Sequence, residues 1–253
     1  LRVDPEHRAT LTQHTFLRAR LADWQDRDAL VAQYRAGVAE SRPALSPFAF
    51  LSLPSSRAEQ RKCAETWTAS LVRVPPARPR RALSNERLRI GYLSGDFHSH
   101  ATAFLAAGLF EHHDRGRFEV IAYSTGRDDR SPMRARLVRA FDRFVDVRDR
   151  NPLAIAETIR ADGIDILVDL MGWTGNARYE ILLHDPAPVK VNWLGYAGSM
   201  GHRAFADYVI GDAIATPASS APFFSETLAL MPHSYMPGDN TRVCGAAPSR
   251  REA

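Results

Sequence analysis

Between residues 88 and 233 the apolar positions follow two alternating rhythms. Short, nearly continuous apolar runs predict strands at "RLRIGYLS", "RFEVIAYST", "RFVDV", "IDILVDL" and "VKVNWLGY", with two shorter ones at "ADYVIGD" and "ETLALMPH". Helical spacing between them predicts helices at "TAFLAAGLFEHH", "SPMRARLVRAF", "NPLAIAETIRADG" and "NARYEILLHD". Asn151 is placed to cap the third of these, with Pro152 in its first turn. Such alternation predicts an α/β fold whose mainly parallel sheet is covered on both faces.

Upstream the pattern is helical only. Over residues 6–40, Phe16, Leu17, Leu21, Trp24, Leu30, Val31 and Tyr34 fall near helical spacing, and Asp26 or Asp28 is positioned to cap "DALVAQYRAGV". "SRPALSPFAFLSLPSS" reads as a proline-marked connection and "RAEQRKCAETWTASLV" as another amphipathic helix. "RVPPARPRRALSNER" has no apolar period and reads as a linker. The expected organisation is a helical segment over 1–75, a linker over 76–87 and an α/β lobe over 88–242.

Composition narrows the possible partners. The 253 residues, 45% hydrophobic, suffice for one core with a helical annex. The formal charge is +4, but Lys62 and Lys190 are the only lysines, and the arginines are interleaved with acids. That reads as solvated faces, and no nucleic-acid partner is expected. Cys63 and Cys244 lie far apart with no motif around them, which fits a reducing compartment and neither a disulfide framework nor a zinc site. There is no apolar run of about 18 residues and no signal peptide, so no membrane association and a cytoplasmic location are expected. The chain opens on Leu1 in charged, helix-like sequence, as a fragment or processed product would.

Ligands of such sheets bind beyond the carboxyl ends of the strands, near a topological switch point. Three polar or glycine-rich loops should open there: "SGDFHSH" after the first strand, "LMGWTGNAR" after the fourth and "GYAGSMG" after the fifth. In the first, Asp96, His98 and His100 permit several readings: metal ligands, a histidine base, or imidazoles that merely cap helix N–H groups or stabilise the loop. No further ligand stands at a recognisable metal spacing. Neither G-x-G-x-x-G nor a P-loop occurs, which argues against a dinucleotide dehydrogenase or a P-loop ATPase.

Five segments, in this order, carry a resemblance: "LRIGYLSGDFHSHATAFLAAGLFEHHDRGRFEVIAYSTGRDDRSPMRARL", "DGIDILVDLMGWTGNAR", "PAPVKVNWLGYAGSMG", "DYVIGD" and "SETLALMPHSYMPGD". Over roughly residues 86–242 the chain resembles the N-terminal half of the catalytic region of protein O-GlcNAc transferases, Spindly-type and bacterial relatives included. Residues 10–75 are similar to the helical segment that joins tetratricopeptide repeats to that region, although no full repeat of about 34 residues is visible. The resemblance implies a GT-B glycosyltransferase, of which this would be the Rossmann-like N-terminal lobe. It implies transfer of a sugar from UDP-GlcNAc to Ser or Thr hydroxyls of an acceptor protein or peptide, with no metal and no cofactor beyond the donor.

The family's functional histidine falls on His100, the expected catalytic residue, while His98 falls where relatives vary. The resemblance further implies substrate contacts from Asp96, Thr102, Asp169, Gly172, Thr174, Tyr196, Gly198 and His233. Ala197 and Ser199 depart from the usual proline and threonine. The expectation is a truncated catalytic half: residues 243–253 would open a missing second lobe, and tetratricopeptide repeats would stand upstream. Such a half would be inactive alone. The alternatives are a catalytically dead peptide- or partner-binding module, an O-fucosyltransferase of the Spindly type and a stand-alone sugar-phosphate enzyme.

Overall fold

A computed structural model of the protein describes residues 14, 17–18, 21–42, 46–72, 87–241 and 245. The proposed linker over 76–87, apart from Arg87, and most of residues 1–20 and 243–253 lie outside the described residues. The lobe holds β1 (Leu88–Ser94), α4 (Ala101–Glu111), β2 (Phe118–Ser124), α5 (Pro132–Ala140), β3 (Arg143–Asp146), α6 (Pro152–Ala161), β4 (Ile166–Asp169), α7 (Glu180–Leu183), β5 (Val189–Asn192), β6 (Tyr208–Asp212), a 3-10 turn (Ala218–Phe223) and β7 (Thr227–Met231). The annex before it holds α1 (Arg27–Ala39), α2 (Pro47–Phe50) and α3 (Arg57–Ala69).

All seven strands pair in parallel, in the order β3-β2-β1-β4-β5-β6-β7. Side chains alternate across the sheet. Tyr92, Val120, Ala122 and Val168 pack with α4 and α5, whereas Leu93, Ile121, Tyr123 and Leu167 pack with α6 and α7. Burial on both faces is why the strands read as nearly unbroken apolar runs.

Three aspartates pin the register at the amino ends of the strands. Asp165, one residue before β4, donates its N–H to the Arg89 carbonyl (3.0 Å), and its carboxylate accepts the Arg89 N–H (2.9 Å). Asp142 before β3 makes the same reciprocal pair with Val120, and Asp207 before β6 makes it with Lys190. In each case the side chain replaces the carbonyl that the strand does not yet extend far enough to offer.

Several boundaries differ from the expectation. Asp26 precedes α1, but with φ 54° its side chain makes no cap bond, and Asp28 lies inside the first turn. The proline-marked connection contains α2, with Ser46 accepting the Ala49 N–H and Pro47 in the first turn. In α3, Ser56 and Glu59 form a reciprocal capping box. The helix expected over 176–185 keeps only α7, bracketed by left-handed Asn176 and Asp185, and β5 stops before Leu194 at φ 74°.

The annex docks on the lobe. Arg57 donates to the Ser220 hydroxyl and Arg61 to the Pro222 carbonyl, while Thr68 donates to the Gly201 carbonyl at 3.4 Å. Trp67 meets Trp173 edge-on. Gly201, at φ +77°, sits where a Cβ would lie 2.4 Å from the Ala64 carbonyl carbon and oxygen. Among the described residues no helix is long and apolar enough to cross a membrane.

Two substitutions test this description. Asp165→Ala leaves the Arg89 N–H without its acceptor and is expected to lose about 1–3 kcal/mol. Asp165→Asn keeps an accepting oxygen and is expected to lose less; equal losses in urea unfolding would contradict the reciprocal pair. Gly201→Ala, strained by both φ and contact with α3, is expected to lose about 2–4 kcal/mol. Proteolysis should then cut first within α1–α3; an unchanged cleavage pattern would argue against docking through Gly201.

Candidate active site

Strand order reverses direction between β1 and β4, and the loops at this switch point surround a cavity of about 710 Å³. The loop after β1 contributes Gly95, Asp96, His98 and His100, and Thr102 follows from α4. Thr125, Gly126 and Arg127 come from the loop after β2, and Thr174, Gly175 and Asn176 from the loop after β4. Gly195 and, from the annex, Phe48 complete the wall.

The histidine loop is anchored by its one apolar residue. Phe97 is buried among Phe110, Phe141 and Phe144, so the polar residues on either side of it are left at the surface. Buried Arg134 donates to the Phe97 carbonyl (2.9 Å) and the Ser124 hydroxyl (2.8 Å) while stacking on Phe144. Asp129 accepts the Ser99 N–H at 2.9 Å, a bond that pulls its carboxyl down to about 2. Gly126 lies directly on the Gly95 carbonyl; a Cβ there would fall 1.8 Å from that oxygen, so only glycine lets the two loops touch.

His100 occupies the N-cap position of α4. Its Nδ1 is 3.3 Å from the Thr102 N–H and 3.4 Å from Asp96 Oδ2. The ring is 43% exposed on the cavity side of the loop, and the Asp96 side chain is 20% exposed. Burial raises the Asp96 carboxyl above its ordinary value, against the pull of the His100 and His98 imidazoles. His98 packs edge-on to His100, with ring centroids 5.6 Å apart, and its Nδ1 is buried without a hydrogen-bond partner. Among the described residues no group of three or more His, Cys, Asp or Glu side chains could hold a metal ion.

The residues singled out in the sequence separate into two sets. Asp96, His100, Thr102 and Thr174 share the cavity wall. Asp169, Gly172, Tyr196 and Gly198 lie behind it. Asp169 is buried and accepts the Met171 and Gly172 N–H groups; burial pushes its carboxyl up to about 6 although these two bonds oppose the shift. The Tyr196 ring fills the space beside Gly172 and Gly198, and burial raises its phenol well above the ordinary value. Behind the same loop, Glu226 accepts the Met200 N–H at 2.7 Å and the Ser199 hydroxyl at 2.9 Å. His233 is exposed after β7 and is not among the residues lining the cavity.

Sequence reasoning did not single out Thr125, Gly126, Arg127 or Phe48. The switch-point rule applied to the loop after β2 would have found the first three. Phe48 carries no local signal, because only the docking of the annex brings it to the wall.

Comparison with known proteins bears on the family and the fold. The model of the family described as Glycosyl transferase family 41 matches residues 62–247. A Caenorhabditis elegans UDP-N-acetylglucosamine–peptide N-acetylglucosaminyltransferase is 41% identical over 162 residues, 63% of this chain and 14% of that protein. The probable Arabidopsis thaliana enzyme SEC, of the same description, is 32% identical over 235 residues, 85% of this chain and 24% of its own length. The solved structure of a mutant O-GlcNAc transferase from Thermobaculum terrenum superposes with a TM-score of 0.68 at 31% identity, covering 82% of this chain and 42% of that one. The chain therefore spans less than half the length of each of these proteins. With the family match covering most of its residues, and a parallel sheet and lobe of the same build, the chain belongs to glycosyl transferase family 41, the family of the O-GlcNAc transferases.

Proposed function

We propose that this chain forms the N-terminal catalytic lobe of a protein O-GlcNAc transferase, with UDP-GlcNAc as donor and Ser or Thr hydroxyls of proteins as acceptors. The observation that carries this reading is the position of His100. It is a partly exposed imidazole in the wall of a switch-point cavity, with Nδ1 engaged by the protein and no hydrogen-bond partner for Nε2 among the described residues. The relatives' names supply the donor and the peptide acceptor.

In such a transfer the acceptor oxygen bonds to the anomeric carbon as its proton leaves. The bond from that carbon to the diphosphate breaks, and the leaving group takes the electron pair. His100 is positioned to hydrogen-bond the hydroxyl or to take its proton. Asp96, Thr102 and Thr174 offer hydrogen-bonding groups around it, and Phe48 offers an apolar wall. Asp169, Gly172, Tyr196 and Gly198 act in this reading by holding the loops in place. Neutralising the diphosphate is a separate task, commonly the largest contribution in charge-developing reactions. We assign it to a second lobe, because this chain covers only 42% of the solved transferase.

Calorimetric titration with UDP-GlcNAc, UDP and GDP-fucose tests the donor, and mass spectrometry of acceptor peptides tests transfer. The 253-residue chain alone is expected to bind UDP-GlcNAc weakly and to transfer no sugar detectably; rapid turnover would refute the division of labour between two lobes. Stronger binding of GDP-fucose would make the enzyme a fucosyltransferase. In a form of the protein that does transfer sugar, His100→Ala is expected to lower kcat/KM roughly 10²–10⁴-fold. The circular dichroism spectrum should be unchanged; full activity in that variant would remove His100 from the chemistry.

A further inference from the structure

The geometry points to Asp96 as a positioning residue that decides which nitrogen of His100 carries the proton, and so makes Nε2 a proton acceptor toward the cavity. The inference rests on the transferase reading for its purpose, but not for its evidence. One ring nitrogen, Nδ1, faces two incompatible neighbours. The Thr102 N–H at 3.3 Å requires a lone pair on Nδ1. The Asp96 carboxylate oxygen at 3.4 Å requires a hydrogen there, because a lone pair beside a carboxylate is repelled.

The two arrangements differ at the other end of the ring. If Nδ1 caps the helix, the neutral imidazole carries its hydrogen on Nε2 and presents a donor to the cavity. If Nδ1–H donates to Asp96, Nε2 keeps its lone pair and presents an acceptor, as a base must. A hydrogen bond to an ionised carboxylate is roughly twice as strong as one between neutral partners. At 3.3 and 3.4 Å both contacts are long, so distance does not separate them, and the charge on the carboxylate decides the competition. Once Nε2 takes up a proton, the imidazolium stays paired through Nδ1–H with Asp96.

The other charged or titratable groups around the ring do not reverse this order. His98 stands edge-on in the same loop, and Asp129 is occupied by the Ser99 and Ser131 N–H groups. Arg127 lines the cavity from the loop after β2 and makes no ion pair with any of the described residues. The positive end of α4 works against an imidazolium at its N-cap, which makes a facing carboxylate the more necessary. Burial of Asp96 favours its protonated form and is the opposing influence that an experiment must exclude.

Two-bond proton–nitrogen correlation spectra of the imidazoles in the ¹⁵N-labelled chain read the tautomer directly, with His100→Gln identifying the His100 signals among the nine histidines. At a pH where His100 is neutral, the expected spectrum shows hydrogen on Nδ1 and a lone pair on Nε2. In Asp96→Asn the side-chain amide donates to Nδ1 instead, and the hydrogen is expected to move to Nε2. A neutral wild-type ring protonated on Nε2 would overturn the inference, as would an Asp96→Asn variant with the same tautomer as wild type. Should that variant not fold, the wild-type spectrum decides alone. Failure to bind UDP-GlcNAc would count against the transferase reading and leave the tautomer result standing, so the two can fail separately.

Discussion

Parallel pairing leaves a gap at the start of each later strand, and in three places an aspartate closes it. Asp142, Asp165 and Asp207 each stand one residue before a strand and form a two-way pair with one residue of the neighbouring strand. Each pair fixes its strand's offset along the sheet direction. In a sheet buried on both faces, a slip of one residue would exchange the two apolar sets. The carboxyl ends, and with them the loops that surround the cavity, inherit their relative heights from these amino-end pairs.

At the carboxyl ends the chain is irregular, and its polar backbone groups need other partners. Buried or half-buried acids supply many of them. Asp169 takes two N–H groups behind the β4 loop, Glu226 holds the glycine-rich loop after β5, and Asp129 holds the histidine loop. Arg134 contributes the complementary bond to a carbonyl. Lys190 does likewise from inside the lobe, where its buried ammonium reaches Asp185 and the Leu182 and Ala204 carbonyls. Removing one partner of such a buried set typically costs more than the pair itself contributes, because it strands a charge. The cavity is thus shaped by residues that mostly do not line it.

This arrangement divides the residues implied by the family resemblance. Thr174 and His100 reach the cavity, whereas Asp169, Gly172 and Tyr196 lie in one packed unit behind it. A motif read along the chain mixes both kinds, because neighbours in a tight loop alternate between facing a ligand and facing the sheet. The annex enters in the same way. α3 rests on Gly201, in the loop that begins at the cavity's Gly195, while α2 places Phe48 in the wall. The helical segment is therefore part of the site's construction.

The sequence by itself determined the strand–helix alternation, the parallel sheet and the edge on which the polar loops gather, because burial on two faces and helical amphipathicity leave periods that a single chain displays. It also placed His100 at the start of a helix. Strand and helix limits near left-handed Asn176, Asp185 and Leu194 were not legible, since such backbone angles in residues other than glycine follow from the surrounding packing. The cavity's composition was legible only in part. The loops after β1 and β4 announced themselves by histidine and glycine, but Arg127 and Phe48 joined them only through strand order and annex docking. Only the tertiary structure brought Asp96 within 3.4 Å of Nδ1 while the Thr102 N–H approached the same nitrogen. Sequence spacing says that three groups are close; which of them share one lone pair depends on ring orientation, which is fixed only in the folded loop.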